Sequence, residues 1–156
     1  MNDIIQEIQS KIRSKILLDY DMGKSCWFRV GGKAKGFVIV NSVKDLKVII
    51  SYGCKIKYYI VGVGSNLLVR DRGFDGLIIK LGKNFNNIKI NKNILSVGAG
   101  VLDINLAKFA AKNSIKDFEF FIGIPGTIGG AVKMNAGCYG SQTADNLIRV
   151  LLINEH

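Results

Sequence analysis

The sequence predicts an α+β fold, built as one domain or as two small lobes sharing a core. Short apolar strands alternate with helically spaced apolar stripes, one such strand runs straight into a Gly-x-Gly turn, and glycine is concentrated near the C-terminal end. With 156 residues, 48% of them hydrophobic, the chain can bury one sizeable core.

Ile4, Ile5, Ile8, Ile12 and Ile16 recur at helical spacing behind Asn2, which predicts an amphipathic N-terminal helix with Asn2 as its cap. Phe37–Val40 reads as a short strand. Val43, Leu46, Ile49 and Ile50 then form a helical stripe ending near Gly53, and Ser42 with Asp45 resembles a capping box. Tyr58–Val61 reads as a buried strand entering Gly62-Val63-Gly64-Ser65-Asn66, after which Leu67–Val69 is extended again. Asp75-Gly76 reads as a turn into Leu77–Lys80. Ile88–Ile90 and Ile94–Val97 flank Asn91-Lys92-Asn93 as a hairpin would. After Gly98-Ala99-Gly100, the stripe Leu102, Leu106, Phe109 and Ala110 predicts a helix capped near Val101 or Leu102 and ending around Asn113. Leu147–Ile153 reads as a closing strand.

The apolar runs fall far short of the roughly 20 residues that cross a membrane. The start, Met1-Asn2-Asp3-Ile4, lacks the basic and apolar pattern of a signal peptide. A cytoplasmic location without a membrane partner is expected. Cys26, Cys54 and Cys138 form no Cys-x-x-Cys pair, so reduced thiols are the default. The sole histidine, His156, is terminal, which argues against a histidine base or a His-ligated metal, and no metal site is assigned. The net charge of +10 comes from scattered lysines without an aromatic platform. That pattern fits a solvated basic surface better than a nucleic-acid module.

Two segments point to chemistry. Glycine can bring its backbone close to a ligand, and successive N–H groups in such a turn bind anions. Gly62, Val63, Gly64, Ser65 and Asn66, at the end of a strand, suit the pyrophosphate of a dinucleotide; a plain tight turn is the equally weighted alternative. Six of the 18 glycines lie between Gly123 and Gly140, interleaved with apolar residues, as a backbone wall against a flat cofactor ring requires. A packed turn with a short helix is the less favoured reading. Neither Gly-x-Gly loop continues to a Rossmann fingerprint: Leu67 and Asp103 stand where its third glycine belongs. Asn84 after Lys83 excludes a Walker loop.

Taken together, Phe28-Arg29-Val30-Gly31-Gly32, Gly62 through Asp71, Gly98-Ala99-Gly100 and the Gly123–Gly140 segment resemble the UDP-N-acetylenolpyruvoylglucosamine reductase family, over roughly Phe28 to Glu155. The family departs from this chain at Cys26 and Trp27, where it has small hydroxyl residues, and at Lys33, where proline is common. The resemblance implies an FAD-binding domain of the vanillyl-alcohol-oxidase type at residues 21–156, preceded by an N-terminal helix and lead-in at 1–20, with the chain ending before a substrate-binding domain. It implies bound FAD contacted by Gly62, Val63, Gly64, Ser65, Asn66, Leu67, Gly123, Ile124, Pro125, Gly126, Thr127, Gly129, Gly130, Asn135, Ala136 and Gly137. For the intact protein it implies NADPH as co-substrate and a UDP-sugar substrate. The family's catalytic arginine, serine and glutamate have no matching motif here; Arg149 lacks the motif's surroundings, so no catalytic residue is assigned and these residues alone are expected to be inactive. Self-association through an exposed C-terminal edge is a further expectation. Another flavin oxidase or dehydrogenase remains the alternative, with a basic nucleic-acid module behind it.

Overall fold

A computed structural model describes residues Asn2–Asn154; Met1, Glu155 and His156, the last being the sole histidine, lie outside the described residues. The chain divides into two compact units, residues 1–82 with 152–156 and residues 83–151.

The first unit opens with helix α1 (Asn2–Lys11), which buries Ile5 and Ile8. Asn2 is part of the helix rather than its cap, and the helix ends before Ile12. The reason lies in two side-chain acceptors. Asp45 Oδ2 takes the N–H groups of Arg13 (3.1 Å) and Ser14 (2.9 Å), and Gln9 Oε1 takes that of Ile16 (2.7 Å). Ile12 and Ile16 are still buried, but Ile16 begins strand β1 (Ile16–Asp21), which the helical stripe had obscured.

A four-stranded sheet follows in the order β1-β2-β4-β3. Strand β2 (Lys33–Val40) pairs antiparallel with β1 and parallel with β4 (Phe74–Leu81); β3 (Tyr58–Val61) pairs parallel with β4. Phe37, Val38, Leu77, Ile78 and Ile79 on the central strands are all buried, the continuous apolar pattern of strands covered on both faces. β3 lies at the edge instead, with Tyr59 and Ile60 exposed, so it is not the buried strand its composition suggested. Asp75-Gly76 is not a turn but part of β4. Leu67–Val69 joins no ladder. The expected boundary between residues 20 and 21 falls inside β1, whose pairing makes the lead-in part of the sheet.

Helix α2 (Val43–Ile50) starts where Ser42 Oγ accepts the Asp45 N–H at 3.0 Å. The reciprocal half of the expected capping box is missing, because the Asp45 carboxylate turns to Ser14, accepting from its N–H and, at 2.7 Å, from its hydroxyl. Burial works against ionisation of Asp45, but the Ser14 bonds, with Ser42 and Arg13, hold its carboxyl below the usual range.

In the second unit, β5 (Ile88–Asn91) and β6 (Ile94–Val97) form the hairpin expected around Asn91-Lys92-Asn93, with Lys92 at φ +54°. Helix α3 (Asp103–Lys112) follows, with Leu102 at its cap position and no side-chain cap. Phe120 and Phe121, on a 3-10 turn over Glu119–Gly123, stack at 4.1 Å and join Val101, Leu106, Ala107, Ile128 and Ala131 in the core. Helix α4 (Ile128–Met134), the small β7 (Gly137–Cys138) and β8 (Ser141–Gln142) pair, and helix α5 (Thr143–Asn146) complete it. Leu147–Ile153 forms no strand among the described residues. Without a neighbouring edge to receive its N–H and C=O groups, apolar composition alone cannot make one. No helix among the described residues is long and apolar enough to cross a membrane.

Candidate functional site

The Gly62–Leu67 loop leaves the C-terminal end of β3, one of three parallel strands, the position at which open sheets of this kind receive ligands. The N–H groups of Gly64, Ser65 and Asn66 donate to no backbone or side-chain acceptor among the described residues, and neither the Ser65 hydroxyl nor the Asn66 carboxamide has a partner there. A row of uncommitted N–H groups flanked by two small polar side chains fits the oxygens of a pyrophosphate.

Two contacts hold this loop. Gly64 O accepts from Trp27 N–H at 3.0 Å, and Gly64, at φ +72°, lies so close to the Ser25–Cys26 backbone that no larger residue fits. Further along, Gly32 N–H donates to Arg70 O at 3.0 Å, and a side chain at Gly32 would meet Asp71 O. The Phe28–Gly32 and Gly62–Asp71 motifs, far apart in sequence, are thus one interlocked structure. Leu67 and Val69 pack under it against Met22, Ala34, Phe37, Val61 and Ile78. The side chain of Leu67 therefore serves the core of this unit.

The second unit brings the other two motifs together. Ile128 N–H donates to Val101 O (2.9 Å) and Gly129 N–H to Ala99 O (2.8 Å), so the Gly98-Ala99-Gly100 turn carries the Gly123–Gly130 segment. Thr127 is the N-cap of α4, its Oγ1 accepting from Gly130 N–H at 3.4 Å. Most glycines of this segment make room for the protein itself: a β-carbon at Gly123 would meet Cys138 Sγ, at Gly126 Asp103 Oδ2, at Gly129 Ala99 and at Gly137 Ser141 O. Gly130 is exposed, and a β-carbon there would touch only Thr127 Oγ1, at 3.5 Å. Pro125 is also exposed and Ile124 half-buried.

Asn135, in the left-handed region at φ +47°, closes α4. Its carboxamide is engaged at both ends, Nδ2 donating to Gln142 Oε1 and Oδ1 accepting from Ala144 N–H, each at 2.9 Å. Ala136 O accepts both the N–H and the hydroxyl of Thr143. These two residues tie the β7–β8 turn to α5.

Asp103 is the feature that sequence reasoning missed. An acid in the first turn of a helix ordinarily points to solvent, yet this one is fully buried, and neither carboxyl oxygen has a hydrogen-bond partner. Burial pushes its pKa up to about 7; the nearby Gly126 amide opposes this weakly, its N–H being committed to Ile124 O at 3.0 Å. Only the fold reveals that burial.

The described residues form clefts of about 610 Å³ beside Gly32, Lys33, Asp71 and Phe74 in the first unit and of about 450 Å³ beside Leu102, Asn105, Lys108 and Phe109 in the second. Neither is lined by any of the sixteen predicted cofactor contacts.

A parallel strand ending in a glycine turn whose N–H groups meet no protein acceptor among the described residues is an anion cradle of the kind dinucleotide-binding proteins use, outside the Rossmann class because Leu67 stands where the third glycine belongs. The FAD binding domain family matches this chain over residues 34–156, and the chain belongs to that family. It is 44% identical over 154 residues to the UDP-N-acetylenolpyruvoylglucosamine reductase of Pelagibacter ubique (strain HTCC1062), covering 97% of this chain and 51% of that protein. To the protein of the same name from Rickettsia typhi (strain ATCC VR-144 / Wilmington) it is 46% identical over 140 residues, covering 89% and 48%. The crystal structure of the UDP-N-acetylenolpyruvylglucosamine reductase from Thermus caldophilus superimposes with a TM-score of 0.68 at 34% identity, covering 85% of this chain and 46% of that one. The chain spans about half the length of the curated relatives it matches.

Proposed function

We propose that this chain is the FAD-holding part of an NADPH-dependent reductase that converts UDP-N-acetylglucosamine enolpyruvate to UDP-N-acetylmuramate, a precursor of peptidoglycan, in the cytoplasm. The row of uncommitted N–H groups at Gly64, Ser65 and Asn66 carries the reading. Those groups, with Gly62, Val63 and Leu67, hold the pyrophosphate, and the Gly123–Gly130 segment lines the flavin, with Asn135, Ala136 and Gly137 fixing the turn that follows it. Bound FAD supplies hydride transfer between NADPH and the enolpyruvyl double bond. The residues of this chain bind and orient it. The exposed apolar residues Ile148, Leu151 and Leu152 support self-association of the chain.

Titration with FAD, followed by quenching of flavin fluorescence, tests the reading. Saturable binding is expected, and it should weaken at least about tenfold when a side chain at residue 65 covers the N–H row, as in Ser65→Phe, a loss of roughly 1.4 kcal/mol. Absence of saturable binding to the unaltered chain would sink the proposal. The substrate half is tested by NADPH oxidation dependent on the enolpyruvyl UDP-sugar, using the longest natural form of the protein that contains this chain.

A further inference from the structure

Buried polar side chains in native proteins nearly always find partners, so a fully buried carboxyl with two unpartnered oxygens needs a reason. Asp103 has a geometric one. Its Oδ2 lies 2.5 Å from the place a β-carbon of Gly126 would occupy, so the carboxyl fills the side-chain space that Gly126 leaves empty. The backbone reinforces the contact: Asp103 N–H donates to Gly126 O at 3.2 Å, and Leu102 bridges antiparallel to Thr127, the cap of α4. The turn through Pro125, Gly126 and Thr127 is therefore moulded against the first residue of α3.

No counter-charge stabilises an ionised Asp103. On the elements around it, Lys108 and Lys112 of α3, Glu119 of the 3-10 turn and Lys133 of α4 are exposed, and none pairs with it among the described residues. The start of α3 favours negative charge, but burial outweighs it and raises the carboxyl to about 7. An ionised carboxylate without partners gains water only if its packing opens, and the packing against Asp103 Oδ2 is the Gly126 turn.

We propose that Asp103 is a positioning residue for the cofactor: its uncharged carboxyl wedges the Gly126 turn into the shape that receives FAD, and ionisation withdraws the wedge and weakens binding. This rests on the FAD reading above. Cofactor affinity is thereby coupled to pH through a side chain that never touches the cofactor.

FAD titrations of the full chain across the neutral range test it. The wild-type dissociation constant is expected to rise about fivefold or more from roughly pH 6 to roughly pH 8.5, while Asp103→Asn, neutral throughout, keeps it constant. Equal pH profiles would overturn the proposal. If Asp103→Asn does not fold, the cofactor-free wild type decides: the Asp103 carboxyl carbon and the Gly126 and Thr127 amides should shift with one common midpoint near neutrality in NMR spectra, and an Asp103 already ionised at about pH 5.5 would refute the wedge. FAD binding without pH dependence would sink this role alone. No FAD binding at any pH would sink the cofactor reading and the role with it.

Discussion

Gly64 and Ser25 meet so closely that a β-carbon on Gly64 would stand 2.1 Å from the Ser25 carbonyl oxygen. The obstruction is backbone, which cannot swing aside, and Gly64 is also at φ +72°, a conformation that side chains disfavour. Gly64→Ala is expected to destabilise the first unit by about 3 kcal/mol and to abolish FAD binding. Gly140→Ala is the control: φ is +83° there but no atom lies within 4 Å, so only the strain of about 1 kcal/mol remains. Thermal melts of the two variants measure the difference, and equal losses would show that the Ser25 contact is unimportant.

Asp45 joins the end of α1 to the start of α2 by accepting from Arg13 N–H, Ser14 N–H and Ser14 Oγ. Asp45→Ala removes the acceptor of all three part-buried bonds, which should cost about 2 kcal/mol, whereas Ser14→Ala, losing one of the three, should cost about 1. Because the folded carboxyl titrates below its ordinary value, this contribution is present above the unfolded pKa and is lost as pH falls through the folded one. Urea denaturation at neutral and acidic pH reads both effects. An Asp45→Ala variant with unchanged midpoint would contradict the assignment.

Some of this architecture was legible in the residues and some was not. The β5–β6 hairpin could be read because Asn91-Lys92-Asn93 is turn chemistry between two alternating runs, and Lys92 adopts the positive φ the turn needs. Strand β1 could not: Leu17-Leu18-Asp19-Tyr20 does not alternate, Asp19 sits at φ +46°, and Ile16 falls in helical register with Ile12. The glycines show a deeper limit. Composition says that Gly123, Gly126 and Gly129 have no side chains, but not whether the space admits a ligand or, as the structure has it, Cys138, Asp103 and Ala99. Asp103 itself looks in sequence like an ordinary first-turn acid.

Asp103 also makes the stability of the second unit depend on pH in the sense opposite to Asp45. Its folded pKa, about 7, lies well above the ordinary aspartate value of 3.8, so the folded state holds the proton more tightly than the unfolded chain does. Its contribution is complete below the unfolded pKa and declines as pH rises to the folded one, a change on the order of 4 kcal/mol in all. Chemical denaturation of the wild type should accordingly give a rising midpoint from neutral pH toward about pH 5, with Asp103→Asn flattening that slope. A wild-type midpoint that falls steadily over the same interval would show that Asp103 is ionised in the folded protein.

The exposed run near residue 150 leads to a last expectation. Ile148, Leu151 and Leu152 are 74%, 96% and 78% exposed, an unusual state for three large apolar side chains so close together. Burying them against a second copy of the chain would remove apolar surface worth about 1.5–3 kcal/mol per side chain, against which association costs rigid-body and ordering entropy. The balance predicts weak, concentration-dependent self-association rather than a permanent dimer. Sedimentation velocity over a concentration series should show a rising average mass for the wild type. In the double variant Leu151→Lys, Leu152→Lys the chain should stay monomeric, because two charges replace the apolar contact and repel across the interface. Identical sedimentation of variant and wild type would assign any association to another surface, and a wild type monomeric at every concentration would remove the expectation altogether.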